Sequence, residues 1–381
     1  MSQYPGRAVV DLSAIRGNVA SLVERAGAAQ VMAVVKADGY GHGLVPSARA
    51  ALGGGAAWLG VAQVEEALAL RAAGIDAPVL AWLYAPGAPL EQALVAGIDL
   101  SVAAPWALAE VVAAARASGR TARVHVKVDT GLGRGGVMPA ELEALLDAAL
   151  TAQAEGACAV VGIWSHLAWA DAPDHPTVLA QRGVFADAVA LAERKGAHLE
   201  VRHLANSAAT LTRPDMHYDL VRPGLAVFGL SPVPGLGAPA DYGLRPAMRL
   251  EAQLALTKQV PAGHGVSYGH AYVTARDTVL GVVPLGYADG IPRHASGAAN
   301  VLGAPVQVAG RRTGVAGRIC MDQFVVDLGP DAREVAGDVV VLFGPGTEGE
   351  PTAQDWAQAA GTICYEIVTR ISPRVPREYL E

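Results

Sequence analysis

The side chains with catalytic potential in this chain follow short apolar, β-branched segments. The first segment (residues 31–37) reaches Lys36, which lies between the apolar Val34 and Val35 and the flexible sequence GYGHG. An apolar strand and nearby cations lower the pKa of a lysine, and a neutral amine can form a Schiff base. An ordinary lysine at the rim of a domain fits this segment equally well, so both interpretations remain open at this point.

Other apolar segments also end in polar or charged side chains. Because the carboxyl ends of parallel strands meet at one face of a barrel, we expect these side chains to converge. The resulting face is strongly cationic and suits an anionic ligand such as a phosphate. The residues concerned are Lys127, Asp129, Arg134, His166, Asn206, Ser207, Arg222 and Gly224.

The elements that must position these side chains alternate between strands and helices. Eight short apolar runs are separated by amphipathic or alanine-rich helical segments over about 230 residues, which predicts an α/β fold with a (β/α)8 TIM-type barrel at residues 11–243. A doubly wound open sheet is less suitable, because KADGYGHG is not the glycine fingerprint of that fold. The runs lie at 31–37, 58–62, 78–83, 99–103, 122–129, 158–167, 200–207 and 220–229.

The flanking regions are predicted from hydrophobic periodicity. Residues 12–26 carry an apolar stripe at helical spacing, with Asp11 or Ser13 as the N-cap. Beyond a Pro- and Gly-rich segment at 231–246, apolar residues alternate with polar ones in several strands, and 352–361 is one short helix candidate. We therefore predict a β-rich C-terminal domain at residues 244–381.

Composition excludes several classes of protein. The 381 residues carry a net charge of −7, which argues against nucleic-acid binding, and the apolar runs are too short to span a membrane. The three cysteines (Cys158, Cys320 and Cys364) are widely spaced, so neither a disulfide framework nor a metal site is expected. No signal peptide is recognisable, and a cytoplasmic location is expected.

Nine sequence blocks follow one another along the chain. They are VVKADGYGHG (34–43), KVDTGLGRGG (127–136), SHLAWAD (165–171), HLANSAAT (203–210), VRPGLAVFGL (221–230), VSYGHAYVT (266–274), LGYADGIPR (285–293), GRICMDQF (317–324) and YEIVTRISPRVPR (365–377). In this order they resemble the blocks of the alanine racemase family, and the first is similar to the family's attachment site for pyridoxal 5′-phosphate. The fold implied is a barrel followed by a β domain, which residues 1–10 join as an additional strand.

The resemblance implies a racemase that interconverts L- and D-alanine with two bases and supplies D-alanine for peptidoglycan. Lys36 holds the cofactor and is the base on one face of the substrate Cα. Tyr268 is the base on the other face and comes from the partner subunit of a homodimer. Tyrosine is a poor base at neutral pH unless cations lower its pKa, and His166 and Arg222 are expected to provide that environment.

The resemblance also implies the binding residues. Arg222 faces the pyridine nitrogen and, being unable to give up its proton readily, keeps the ring a weak electron sink. Arg134 and the backbone of Met321 hold the substrate carboxylate, and a lysine at the position of Lys127 is carbamylated in several relatives. The remaining cofactor-binding residues are Tyr40, His166, Asn206, Ser207, Gly224, Leu225 and Tyr365, and the entryway residues are Tyr287, Arg293, Arg318, Ile363 and Tyr365.

One residue bears on the expected substrate, and several alternative activities are open. Trp169 stands where a smaller residue is expected, so it could narrow the entry channel. The alternatives are a racemase of this fold for another amino acid such as serine or lysine, a decarboxylase, or a non-catalytic protein that binds pyridoxal phosphate. Arg222 argues against a decarboxylase, and the second domain bearing Tyr268 and Met321 argues against a non-catalytic carrier.

Overall fold

The computed structural model describes residues 4–381, which form two compact units. The first unit, called the barrel unit, comprises Ile15–Gly39 and Leu44–Arg245. The second, called the β unit, joins the described residues up to Ala14 with Tyr40–Gly43 and Pro246–Glu381. Strand β1 (Gly6–Asp11) belongs to the β unit, and strands β2 to β9 belong to the barrel unit.

The barrel unit contains eight parallel strands in the order β8-β7-β6-β5-β4-β3-β2-β9. A parallel bridge between Asn206 and Arg222 brings the ends of the sheet together, which nearly closes it. The predicted (β/α)8 barrel is therefore confirmed. Its strands are β2 (Gln30–Val34), β3 (Trp58–Val61), β4 (Val79–Ala81), β5 (Asp99–Val102), β6 (Ala122–Lys127), β7 (Cys158–Trp164), β8 (Val201–His203) and β9 (Leu220–Val221).

The last strand is much shorter than the sequence predicts. The apolar run 220–229 suggests a long strand, but β9 ends at Val221 and a 3-10 helix follows at Leu225–Phe228. Pro223 lacks an N–H for the ladder, and the chain then turns into the 3-10 helix. The prediction of a strand beyond residue 222 is wrong for this reason.

Helices cover the outside of the barrel. The first begins after Asp11, whose Oδ1 accepts hydrogen bonds from the Ala14 amide at 2.9 Å and the Ser13 hydroxyl at 2.6 Å, so Asp11 is its N-cap. The N-cap prediction of Asp11 or Ser13 is resolved in favour of Asp11. The helices are Leu12–Ala26, Leu44–Gly53, Val64–Ala72, Leu90–Val95, Pro105–Ser118, Pro139–Ala154, Pro176–Arg194 and Ser207–Thr212.

The β unit contains a six-stranded sheet in the order β16-β15-β18-β10-β1-β19, a three-stranded sheet β11-β14-β17 and a small hairpin β12-β13. The strand-rich C-terminal region predicted from the sequence is thus confirmed. Its strands are β10 (Met248–Gln253), β11 (Leu256–Val260), β12 (Gly265–Val266), β13 (Tyr272–Val273), β14 (Thr278–Val283), β15 (Pro305–Val308), β16 (Arg311–Gly314), β17 (Phe324–Gly329), β18 (Val339–Phe343) and β19 (Arg377–Leu380).

Strand β1 lies next to the edge of the larger sheet, between β10 and β19. It pairs antiparallel with β10 and parallel with β19, and its alternate residues Ala8 and Val10 are fully buried. Residues 1–3 of the segment 1–10, for which an added strand was predicted, lie outside the described residues.

Two helices complete the β unit. Ala353–Ala360 begins at Thr352, whose Oγ1 accepts from the Asp355 amide at 3.1 Å, and it buries Trp356. The helix Cys364–Thr369 was not predicted, because six residues are too few to show a helical period. Within residues 4–381, every helix is too short or too polar to cross a membrane.

Candidate active site

Lys36 stands at the start of a left-handed turn. Ala37, Asp38 and Gly39 have φ values of 53°, 53° and 60°, a conformation that costs a non-glycine residue roughly 1–2 kcal/mol. Side chains hold this turn in place: Glu66 Oε1 accepts from the Ala37 amide at 2.6 Å, and Asp38 Oδ1 accepts from the Leu44 amide at 2.8 Å. The strained segment therefore has a fixed backbone immediately after the lysine.

The Lys36 amine is held away from acceptors. Its Nζ lies 5.9 Å from the centre of the Trp82 ring, and it has no hydrogen-bond or ion-pair partner among residues 4–381. Burial and the nearby Arg134 guanidinium lower the pKa of Lys36, against the opposing charge of Glu66. A larger share of neutral amine follows, as a Schiff-base nucleophile requires.

The loop after β6 is organised around Asp129. Its Oδ1 accepts from the amides of Gly131, Leu132 and Gly133 at 2.9–3.1 Å, which curls the GLGRGG segment and presents Arg134 to solvent. Burial raises the pKa of Asp129, but these amide hydrogen bonds together bring it below its ordinary value. The carboxylate is thus committed to the loop backbone.

Lys127, at the end of β6, lies over an aromatic ring. Its Nζ is 4.5 Å from the centre of Trp164. Burial, with the charges of Arg134 and Arg222, lowers the pKa of Lys127 to about 8. The neutral fraction of this amine near neutral pH is therefore larger than that of an ordinary lysine.

Arg222 is a buried cation whose Nε–H is uncommitted. It is 4% exposed, and its Nη2 donates to the Ser165 carbonyl at 2.6 Å while Nη1 lies 3.2 Å from His203 Nδ1. Its Nε–H has no acceptor within residues 4–381. Burial lowers the pKa of Arg222 to about 9, so it is still charged at neutral pH.

His166 lies beside this group of cations. Burial is the main cause that lowers its pKa well below the ordinary value, followed by the charges of Arg222 and Arg134 and then of two lysines. The imidazole is therefore neutral at physiological pH. The structure thus brings together five of the residues selected from the sequence: Lys36, Lys127, Arg134, His166 and Arg222.

The segments after β8 and β9 meet through a serine. Ser207 Oγ accepts from the amides of Gly224 and Ala226 at 2.8 and 3.3 Å. Asn206 caps the short helix Ser207–Thr212 by accepting from the Ala209 amide at 3.1 Å, and Leu225 is fully buried. Ser207, Gly224 and Leu225 thus form one local structure in the barrel unit.

The remaining predicted residues lie in the β unit. Tyr40 is buried, which raises the pKa of its phenol, and its ring centre is 6.3 Å from that of Tyr365. Tyr268 is 68% exposed and follows Ser267, whose φ of 61° is in the left-handed region. Met321 is 53% exposed, and its amide has no acceptor within residues 4–381.

Residues expected near the entryway fall into both units. Tyr287 and Ile363 are exposed residues of the β unit. In the barrel unit, Trp169 is also exposed and stacks on His175, with ring centres 4.2 Å apart. This stacking fixes the indole plane.

Sequence reasoning missed several residues that support Arg222 and Lys36. Polar residues recur at alternate positions of ARVHVKVD, and in a parallel strand buried on both faces such a row must point inward. That signal could have identified His125 before the structure was known. The missed residues are Glu66, Trp82, Asp99, His125, Trp164 and His203.

Comparison with known proteins shows which family the chain resembles. Family models match twice: the N-terminal domain of alanine racemase over residues 10–232 and its C-terminal domain over residues 247–379. The chain is 65% identical over 377 residues to an alanine racemase of Beutenbergia cavernae, covering 99% of this chain and 98% of that protein.

Solved structures give the same result. An alanine racemase from a D-cycloserine-producing Streptomyces lavendulae has 58% identity and a TM-score of 0.97, with 100% of this chain and 98% of that chain covered. Alanine racemase of Streptomyces coelicolor has 60% identity and a TM-score of 0.96, with 99% and 98% covered. The chain therefore belongs to the alanine racemase family.

Proposed function

We propose that this protein interconverts L- and D-alanine with pyridoxal 5′-phosphate bound at Lys36. The observation that carries the proposal is the Lys36 amine, which has a lowered pKa and no acceptor within residues 4–381. An amine in this state can react with a carbonyl carbon. Membership of the alanine racemase family and the cations around Lys36 also support the proposal.

The residues of the barrel unit fit the cofactor's charge and hydrogen-bonding pattern. Lys36, Lys127, Arg134 and Arg222 form no ion pair within residues 4–381, so an anionic group would balance their charge. The uncommitted Nε–H of Arg222 can donate to an acceptor such as a pyridine nitrogen. When bound, pyridoxal phosphate would withdraw electrons from the amino acid and make its Cα proton acidic.

Arg222 would set how strongly the ring attracts electrons. Its guanidinium donates a hydrogen bond but holds its proton, whereas a carboxylate at this place would favour a protonated ring. A weaker sink leaves more negative charge at Cα, where Lys36 or Tyr268 can return a proton. We therefore expect racemisation rather than transamination.

Two bases on opposite faces would exchange the proton. Lys36 would act on one face and Tyr268, from a second copy of the chain, on the other. The exposure of Tyr268 in a single chain supports this assignment, because an exposed phenol is available to a neighbouring subunit. The proposal therefore includes a homodimer with a shared active site.

The other residues selected from the sequence would bind the two anionic ends. Arg134 and the Met321 amide would hold the substrate carboxylate. His166 would lie beside the cofactor, and Asn206 would orient the segment that carries Ser207. The proposed phosphate-binding residues are Tyr40, Ser207, Gly224, Leu225 and Tyr365.

In the cell, the product would be D-alanine for peptidoglycan. The three cysteines are all free thiols, which agrees with a reducing compartment, and we propose the cytoplasm. No further partner is required by the proposed chemistry.

A chiral assay tests the function directly. Purified protein is incubated with L-alanine, L-serine or L-lysine, with and without added pyridoxal phosphate, and both enantiomers are quantified. We expect rapid conversion of alanine that depends on the cofactor. Cofactor-independent conversion, or preferential turnover of serine or lysine, would contradict the proposal.

A further inference from the structure

A chain of buried polar side chains extends from Arg222 through the barrel. His203 Nδ1 lies 3.2 Å from Arg222 Nη1, and His203 Nε2 lies 2.9 Å from His125 Nδ1. His125 Nε2 is then 3.1 Å from Asp99 Oδ2. Both imidazoles are fully buried and Asp99 is nearly so. Four residues from four different strand segments are therefore linked by three contacts of hydrogen-bond length.

The two ends of this chain determine the direction of every hydrogen bond. A guanidinium has donors and no acceptor, so His203 Nδ1 must accept and the proton of a neutral His203 resides on Nε2. That N–H donates to His125 Nδ1, which leaves the His125 proton on Nε2. An ionised Asp99 accepts from it. Both imidazoles are thus fixed as the Nε2–H tautomer.

The charge state of His203 agrees with this pattern. Burial lowers its pKa well below the ordinary value, and the charges of Arg222 and His125 act in the same direction. A second proton on His203 would place an N–H against the guanidinium. The neutral form is therefore the one that fits beside Arg222.

Trp164 and Gly162 pack against the two histidines of this polar chain. Trp164 lies parallel to His203, with ring centres 5.7 Å apart, and its indole N–H donates to Ser101 Oγ at 2.9 Å. Opposite His125 is Gly162, where an added Cβ would lie 2.3 Å from the imidazole Nδ1. A glycine at this position of β7 is thus required for His125 to occupy its place.

We propose that Asp99, His125 and His203 are positioning residues, which orient Arg222 toward the cofactor by fixing the tautomers of both histidines. The inference rests on the proposed function, because it assigns the cofactor's ring nitrogen to the Nε–H of Arg222. Without the fixed tautomers, His203 could turn an N–H toward the guanidinium and displace it.

The test begins with the protein before the cofactor is added. Imidazole nitrogen NMR on 15N-histidine-labelled protein identifies the tautomer of each ring. In the unmodified protein, we expect His125 and His203 each as a single Nε2–H tautomer. A cationic His203, or a proton on its Nδ1, would overturn the proposal.

Two substitutions break the chain from different sides. Asp99→Leu removes the terminal acceptor, and Gly162→Ala pushes against His125. In each we expect His203 to lose its single tautomer and pyridoxal phosphate to bind about ten-fold more weakly, the order of one lost hydrogen bond from a charged donor. The absorption of the bound cofactor should also shift. If one variant does not fold, the other supplies the result.

Matched controls separate positioning from general stability. Arg123→Gln removes the ion pair to Asp99 (3.1 Å) but leaves all three contacts of the chain. Gly183→Ala adds the same methyl group where no atom lies within 4 Å. Both should retain the His203 tautomer and the cofactor affinity.

The outcomes distinguish this inference from the proposed function. Folded Asp99→Leu and Gly162→Ala proteins with an unchanged His203 spectrum and cofactor affinity would refute the positioning role. An unmodified protein that binds no pyridoxal phosphate would refute the proposed function instead. Restoration by Asp99→Asn, whose amide oxygen can still accept from His125, would add support; no restoration would count against the tautomer argument.

Discussion

The group of cations in the barrel unit differs from several buried carboxylates of the β unit in how its charge is balanced. In the barrel unit, Lys36, Lys127, Arg134 and Arg222 form no ion pair within residues 4–381, and nearby carboxylates such as Asp129 accept from backbone amides. In the β unit, three buried carboxylates have an arginine partner, namely Glu251 with Arg7, Asp289 with Arg374 and Glu334 with Arg311, whereas the buried Glu350 accepts from backbone amides.

This difference separates a functional site from a structural one. A buried ion pair satisfies its own charge, so it can hold strands together without a ligand. A group of positive charges lowers the pKa values of its own members, and binding of an anion stabilises it. Four substitutions test whether the two kinds of site respond differently.

Lys36→Ala should have the largest effect on activity. Removing both the cofactor attachment point and one base should slow racemisation by about 10⁴-fold or more. The absorbance of the bound cofactor should change as well. Lys258→Ala, at an exposed position of the β unit, is the matched control and should leave both unchanged. Unaltered cofactor absorbance in Lys36→Ala would remove Lys36 from its assigned role.

Tyr268→Phe should slow one direction of racemisation more than the other. Loss of one general base costs about 10²-fold or more, and the loss should fall mainly on proton removal from L-alanine. Incorporation of solvent deuterium at Cα, measured from each enantiomer, reports the two directions separately. Equal slowing from both enantiomers would contradict the assignment of faces.

Arg222→Glu should change the electronic properties of the bound cofactor and have a smaller effect on the rate of racemisation than the two substitutions above. A carboxylate in place of the guanidinium favours a protonated cofactor ring and a stronger electron sink. We expect a long-wavelength absorption band during turnover and racemisation about ten-fold slower, since Cα is reprotonated less readily. Absence of the band in a variant that still binds the cofactor would count against the weak-sink argument.

Glu334→Gln should affect stability and leave racemisation intact. Burial raises the pKa of Glu334, but the hydrogen bond and charge of Arg311 together with backbone amide hydrogen bonds hold the pKa below the ordinary value. Such a group stabilises the fold above its unfolded pKa, and the contribution is lost as pH falls through the folded pKa. We expect a loss of about 2 kcal/mol at neutral pH, which shrinks in acid.

The control for Glu334 is a carboxylate with the same chemistry at the surface. Glu348 is paired with Arg249 at 3.2 Å, but its side chain is 72% exposed. Glu348→Gln should cost less than about 1 kcal/mol. Urea unfolding at several pH values measures the free energy of unfolding of both variants. Equal losses of stability would show that burial of the carboxylate does not determine how much its ion pair contributes.

The sequence by itself determined the elements and the residues at their ends. Strand and helix periodicities are local, and they predicted the eight barrel strands and the helix that follows Asp11. The family blocks identified Lys36, Arg222 and Tyr268 as site residues, and those roles stay predictions until the substitutions are made. The length of the last strand was missed because the strand ends before Pro223, within an apolar run.

The tertiary structure alone decided how charge is handled inside the barrel. Asp99, His125 and His203 lie up to 104 residues apart in sequence, and they meet because β5, β6 and β8 place alternate side chains into one interior. The left-handed turn after Lys36 depends on Glu66 from the next strand-to-helix connection. Contacts of this kind join residues whose local sequences carry no information about each other, since closure of the sheet sets the distance between them.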